Sequence, residues 1–238
     1  MHRHDNTFLG LKEIGSRALP YRANFEFEGE FIDQAHARIA SHPLLNGLLI
    51  QLPNGPNGAP VPGWLQRADA LKLYELAYFS AGDILELGSF HGLSAMIMSM
   101  AVQEARRSIR IHTVDLDSSC TEQAVANLAL NGLAEHVDVA CDEAGRAIKR
   151  LASESRKFGF TFVDHSHAYE PVLEVCKSVH QVLLPGSFVL FHDFNDPRNR
   201  NAGDGGYAVY QAVMDGLPGD LFDFYGIYGC AALYRLRP

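Results

Sequence analysis

Residues 84–100, ILELGSFHGLSAMIMSM, decide the fold. Ile84, Leu85 and Leu87 make a short apolar run that ends at Gly88, and from Leu93 an apolar, small-residue segment continues at helical length. A strand that feeds a helix through a turn framed by Gly88 and Gly92 opens a parallel α/β unit. Chain reversal at the carboxyl edge of such a sheet makes a crevice where a nucleotide-like ligand can sit. Gly88 permits close backbone approach, and the free N–H groups at the start of the helix favour an anion.

Working outward, the same alternation continues toward the C-terminus. Strands are predicted at 83–87, 110–116, 136–141, 158–164 and 187–193, separated by four helical patterns. The helix after Asp117 is predicted to start on a capping box, Ser119 with Glu122, to stop at Asn131-Gly132, and to bury Val125, Leu128 and Ala129 on one face. The helix after Asp164 takes Pro171 in its first turn, carries Val172, Val175, Val179 and Val182 at helical spacing, and is predicted to stop at Pro185-Gly186. Beyond a helix near 206–216, LFDFYGIYG and CAALYRLR follow with almost nothing between them, too short a link for a parallel crossover. They must therefore pair antiparallel. Before residue 82 a helix is expected around 31–41, a Pro/Gly-rich stretch at 52–64 and a second helix around 65–80.

Composition narrows the function classes. The 238 residues are 47% apolar and 20% charged, which excludes collagen, coiled coil and disorder and favours one globular domain. Twenty basic against 28 acidic residues leave a formal charge of −8 without a Lys/Arg block, so nucleic acid is not an expected partner. No apolar run is long enough for a membrane span, and the N-terminal residues lack the apolar stretch of a secretory signal. Cys120, Cys141, Cys176 and Cys230 are scattered in apolar surroundings, as expected of buried thiols in a reducing compartment. The expected setting is cytoplasmic, without a membrane partner.

Two details refine the ligand. The loop spacing is Gly-x-x-x-Gly, and the carboxylate of Glu86 stands two residues before it, where a pyrophosphate would meet like charge. The next strand ends in Asp115, 23 residues after Gly92, where an acid can take both hydroxyls of an adenosine ribose. The third ends at Cys141-Asp142, within reach of an adenine amino group, with Glu143 and Asp138 as close alternatives. Together these features resemble the class I S-adenosylmethionine-dependent methyltransferases over about residues 65–238. The resemblance implies a doubly wound, seven-stranded, mostly parallel sheet closed by an antiparallel hairpin. It also implies that Glu86, Gly88, Ser89 and Gly92 hold the methionine end of S-adenosylmethionine, with Asp115 on the ribose and Asp142 on the adenine. Residues 1–64 would then be an extension, with the stretch around Trp64 a lid over the site.

Strand four ends in FVDHSHAYEP and strand five in LFHDFNDPRN, which brings Asp164, His165, His167, His192, Asp193 and Asn195 to one sheet edge. Several titratable groups at the carboxyl ends of apolar strands are what a catalytic crevice looks like in this architecture. The Asp-His pair, with a second Asp 29 residues later, resembles the catechol O-methyltransferase-like, metal-dependent branch. That resemblance implies a divalent cation such as Mg2+ on Asp164 and Asp193. The third ligand falls on Phe194 by position, with Asn195 one place late and His192 one place early. It further implies a histidine base, with His167 preferred to His165. The expected activity is methyl transfer to a hydroxyl of a small molecule, such as a sugar, phenol or specialised metabolite. The rivals are a nicotinamide-dependent oxidoreductase and a non-catalytic cofactor-binding homologue.

Overall fold

The computed structural model describes residues 61–65, 67–201 and 206–238. The helix expected at 31–41 and residues 52–60 of the Pro/Gly stretch lie outside them. In chain order the principal elements are helix α1 (Arg67–Tyr78), strand β1 (Ile84–Leu87), α2 (Leu93–Glu104), β2 (Ile111–Asp115), α3 (Ser118–Leu130), β3 (Val137–Cys141), α4 (Ala144–Ser153), β4 (Phe158–Val163), α5 (Tyr169–Ser178), β5 (Leu183–Phe191), α6 (Val209–Gly216), β6 (Phe222–Tyr228) and β7 (Ala231–Leu236).

The sheet order is β3-β2-β1-β4-β5-β7-β6, with β7 antiparallel to both β5 and β6. The chain enters at the middle, winds outward through β2 and β3, then returns to lay β4 against the other side of β1. That return makes β1 and β4 the topological switch point, where neighbouring loops diverge and leave a crevice. Every residue of β1 and β4 is buried, as a parallel sheet covered on both faces requires. Alternation splits the core: Leu85, Leu87, Val189 and Phe191 pack with α4, α5 and α6, whereas Ile84, Phe162 and Leu190 pack with α1 and α2.

Four local expectations need correction. Helix α3 is capped by Asp117, whose carboxylate accepts the Ser119 N–H at 2.8 Å; a carboxylate at the N-cap takes the orphan donors directly, and the Ser119–Glu122 box is not used. Its buried face is Thr121, Ala124 and Leu128, while Val125 is 51% exposed, because α3 meets the sheet on one narrow stripe. Pro185-Gly186 does not end a helix. Helix α5 gives way to a 3-10 turn at Val179–Val182, and β5 begins at Leu183 and passes through Pro185 and Gly186 beside a shift in the β4–β5 register. There the strand tolerates a residue without an N–H. Of the thiols, only Cys176 and Cys230 are buried, and Cys141 is exposed.

Candidate active site

The crevice at the switch point is a cavity of about 520 Å3, lined by the loop after β1, the ends of β2, β4 and β5, and Pro62, Gly63 and Trp64. Its first wall follows from backbone geometry. Gly88 has φ +105, and a Cβ there would overlap the Asp164 carbonyl oxygen, so only glycine lets the β1 and β4 loops pass this closely. The turn continues with Phe90 at φ 43 and closes at Gly92 at φ 87, whose N–H donates to the Ser89 carbonyl at 2.7 Å. Asp115, at the end of β2, accepts the Phe90 N–H at 2.7 Å and the Asp117 N–H at 3.0 Å, so one carboxylate holds two loops while lining the cavity.

Glu86 sits beneath this loop. It is fully buried and accepts from the Thr113 hydroxyl, with Ser94 close by; its Oε1 has no hydrogen-bond partner. Burial pushes its pKa up to about 7, with the Asp164 and Asp115 charges adding to the rise. Its effect on the cavity is therefore indirect, through the loop it supports. Asp142 also stands back: it does not line the cavity, and its carboxylate is 3.4 Å from Arg146 and 3.8 Å from Arg150. Gly88, Ser89 and Asp115 do line it.

The second wall is charged. Asp164, His167 and Asp193 each offer a donor atom, all within 4.8 Å of one another. His167 Nε2 lies 2.8 Å from Asp193 Oδ2, and its ring stacks on Tyr207 at 4.7 Å between centroids. The bond to Asp193 raises the His167 pKa against the pull of partial burial. Asp193 itself takes a left-handed φ of 56, rare for a non-glycine residue and a mark of strain held by its surroundings. Burial would raise its pKa, but the bonds from His167 and His192 outweigh it and hold the carboxyl far below the usual range.

His192 is almost completely buried behind these groups, with Nδ1 3.2 Å from Asp164 Oδ1 and 3.3 Å from Asp193 Oδ2. Burial acts to lower its pKa, yet the Asp164, Asp193 and Asp69 carboxylates raise it well above the ordinary value. His165 behaves oppositely: burial lowers its pKa to about 4, leaving a neutral imidazole at the cavity wall. Asn195 is buried, ties its N–H to the Cys230 carbonyl at 2.9 Å and does not line the cavity. Carboxylates with an imidazole at this spacing fit a hard or borderline divalent cation.

Sequence reading assigned no role to Asp69, Phe90 or Arg198. Arg198 is bound to Asp196, covers Tyr207 and lines the cavity. Asp69 left a signal: Asp69, Lys72 and Glu75 are charged residues three apart on a helix, and all three are buried. A charged row facing inward points to a polar network.

Residues 85–194, just under half of the chain, match a family model described as a methyltransferase domain. No curated protein matches the chain significantly. Among solved structures, an O-methyltransferase from Bacillus cereus in complex with SAH is 14% identical, with a TM-score of 0.62 over 75% of this chain and 84% of that one. TomG, an O-methyltransferase from Streptomyces achromogenes involved in tomaymycin synthesis and solved with SAM, is 16% identical, with a TM-score of 0.57 over 86% and 92% of the two chains. Residues 85–194 thus match the methyltransferase-domain model, and the sheet they belong to has the fold of these solved O-methyltransferases.

Proposed function

We propose that the protein is an S-adenosylmethionine-dependent O-methyltransferase that acts on a hydroxyl of a small molecule, with a divalent cation held at Asp164 and Asp193. The observation that carries this reading is the convergence of Asp164, His167 and Asp193 on the same cavity that Gly88, Ser89 and Asp115 line from the other side. S-adenosylmethionine, when bound, supplies a methyl group already activated on a sulfonium. The chain's part is to align a hydroxyl oxygen with it and take away the hydroxyl proton.

Asp115 holds the ribose end, and the Gly88–Gly92 turn holds the methionine end. A cation on Asp164 and Asp193 would lower the acceptor's pKa and orient its oxygen. His167 takes the proton at Nδ1, while Asp193, which accepts the Nε2 proton, stabilises the imidazolium that forms. His165, neutral and half-buried, shapes the wall instead. Trp64 and Phe90, with ring centroids 5.4 Å apart at the mouth, give acceptors a flat apolar edge. Asp142, paired with Arg146 and Arg150, stands behind the adenine end and adds little to cofactor affinity. Free thiols, the acidic charge and the absence among the described residues of any helix able to cross a membrane support a cytoplasmic enzyme with a small-molecule partner.

Calorimetry tests the cofactor class. S-adenosylmethionine and S-adenosylhomocysteine are expected to bind and NAD is not; binding of NAD alone would replace this reading with an oxidoreductase.

A further inference from the structure

Helix α1 precedes the stretch matched by the family model, yet one of its side chains reaches the back of the site. Asp69 is fully buried. Its Oδ1 accepts the Cys230 backbone N–H at 2.9 Å, while its Oδ2 stands 3.3 Å from His192 Nε2 and 3.5 Å from the Cys230 thiol. Backbone geometry makes room for this contact: Gly229 has φ +61, and a Cβ there would overlap Asp69 Oδ1. On the far edge of the same imidazole, Nδ1 faces Asp164 Oδ1 and Asp193 Oδ2 at 3.2 and 3.3 Å.

We propose that Asp69 is a positioning residue for the reaction: by holding the Nε2 edge of His192 it fixes the ring so that Nδ1 stands at ion-pair distance from both Asp164 and Asp193 and sets their separation. The inference rests on the reading of those two carboxylates as cation ligands. Two carboxylates facing one cavity repel each other, and a ring between them keeps their spacing only if the ring cannot turn. Contacts on both edges leave His192 one orientation. Asp69 and Cys230 come from α1 and from the turn between β6 and β7, so the packing of those elements is transmitted to the ends of β4 and β5. Partners that orient ligands in this way commonly change metal affinity about 10- to 100-fold when removed.

A purely structural tie between α1 and the β6–β7 hairpin is the competing account, and Asp69→Asn separates the two. The amide oxygen can still accept the Cys230 N–H, while its nitrogen replaces the carboxylate oxygen that faces His192. Mn2+ binding to the full chain is followed by electron paramagnetic resonance, and S-adenosylhomocysteine binding by calorimetry. Asp69→Asn and His192→Asn are each expected to weaken Mn2+ about 10- to 100-fold while leaving S-adenosylhomocysteine affinity within about twofold. Unchanged Mn2+ affinity in folded Asp69→Asn overturns the proposal, as does a parallel loss of both ligands or failure of both variants to fold. Should only one variant fold, its readouts decide. If the wild type binds no Mn2+, the cation reading fails on its own. Positioning is then decided by the His167 ring 15N resonances, which move in Asp69→Asn if His192 holds Asp193 and stay in place if it does not.

Discussion

In the half of the crevice built by β1 and β2, Asp115 gives its carboxylate oxygens to the backbone N–H groups of Phe90 and Asp117, and Glu86 is buried with Thr113 and Ser94. In the half built by β4 and β5, Asp164 and Asp193 face imidazoles instead, and Asp193 is held in a strained backbone conformation. The first half uses polar groups to fix the shape of a loop before any ligand arrives. The second half sets charges against one another beside a cavity, where a cation or a reacting proton changes the balance. One wall is built to hold and the other to react.

The halves touch at Gly88, and breaking that contact should have the largest effect. With φ +105 and no room for a Cβ beside the Asp164 carbonyl, Gly88→Ala is expected to destabilise the fold by about 4 kcal/mol or more, read by urea unfolding. A loss under about 1 kcal/mol would mean that the walls are not locked together there. Next comes the division of labour. Asp164→Ala should lower kcat by about a thousandfold with S-adenosylhomocysteine affinity nearly unchanged. Asp115→Ala should instead weaken that affinity about 10- to 100-fold, since it removes charged hydrogen bonds from the loop. Equal loss of affinity in both variants would erase the distinction between the walls.

Glu86 sharpens the comparison through pH. Its folded pKa, about 7, lies above the ordinary 4.5, so the folded state binds the extra proton between those values. Its contribution to stability is therefore complete below about 4.5 and is lost as pH rises through about 7, roughly 3 kcal/mol in all. Glu86→Gln cannot ionise, so thermal unfolding of the variant should lack this decline; parallel pH profiles would show that Glu86 is not the cause. The smallest effect is expected at Asp142. Its carboxylate is already paired with Arg146 and Arg150, and Asp142→Ala should change S-adenosylhomocysteine affinity by less than about threefold in calorimetry.

Much of the fold was legible in the chain. Alternating periods placed β1 to β4 within a residue or two, and the short link before Cys230 required the antiparallel pair. The errors fell where two local signals compete. Asp117 and Ser119 can both cap α3, and the carboxylate won; Pro185-Gly186 reads as a stop, yet the strand passes through it beside a register shift. Asp164, His167 and Asp193 were found as a cluster because strand ends in a parallel sheet share one edge. Their order within it was not legible: strand position does not say that His165 turns inward to become a neutral wall or that His192 lies between the two carboxylates.

The sequence by itself determined the sheet, its switch point and the identity of the residues at the carboxyl edge, because hydrophobic period and turn chemistry act over a few neighbouring positions. Only the tertiary structure decided which of those residues meet. Asp69 and Cys230 are 161 residues apart and share a hydrogen bond. Long-range packing of that kind depends on how helices and hairpin close over the sheet, and no local pattern encodes it. The same closure buries Glu86 beneath its loop and raises its pKa, an environment that its place at the end of β1 does not disclose.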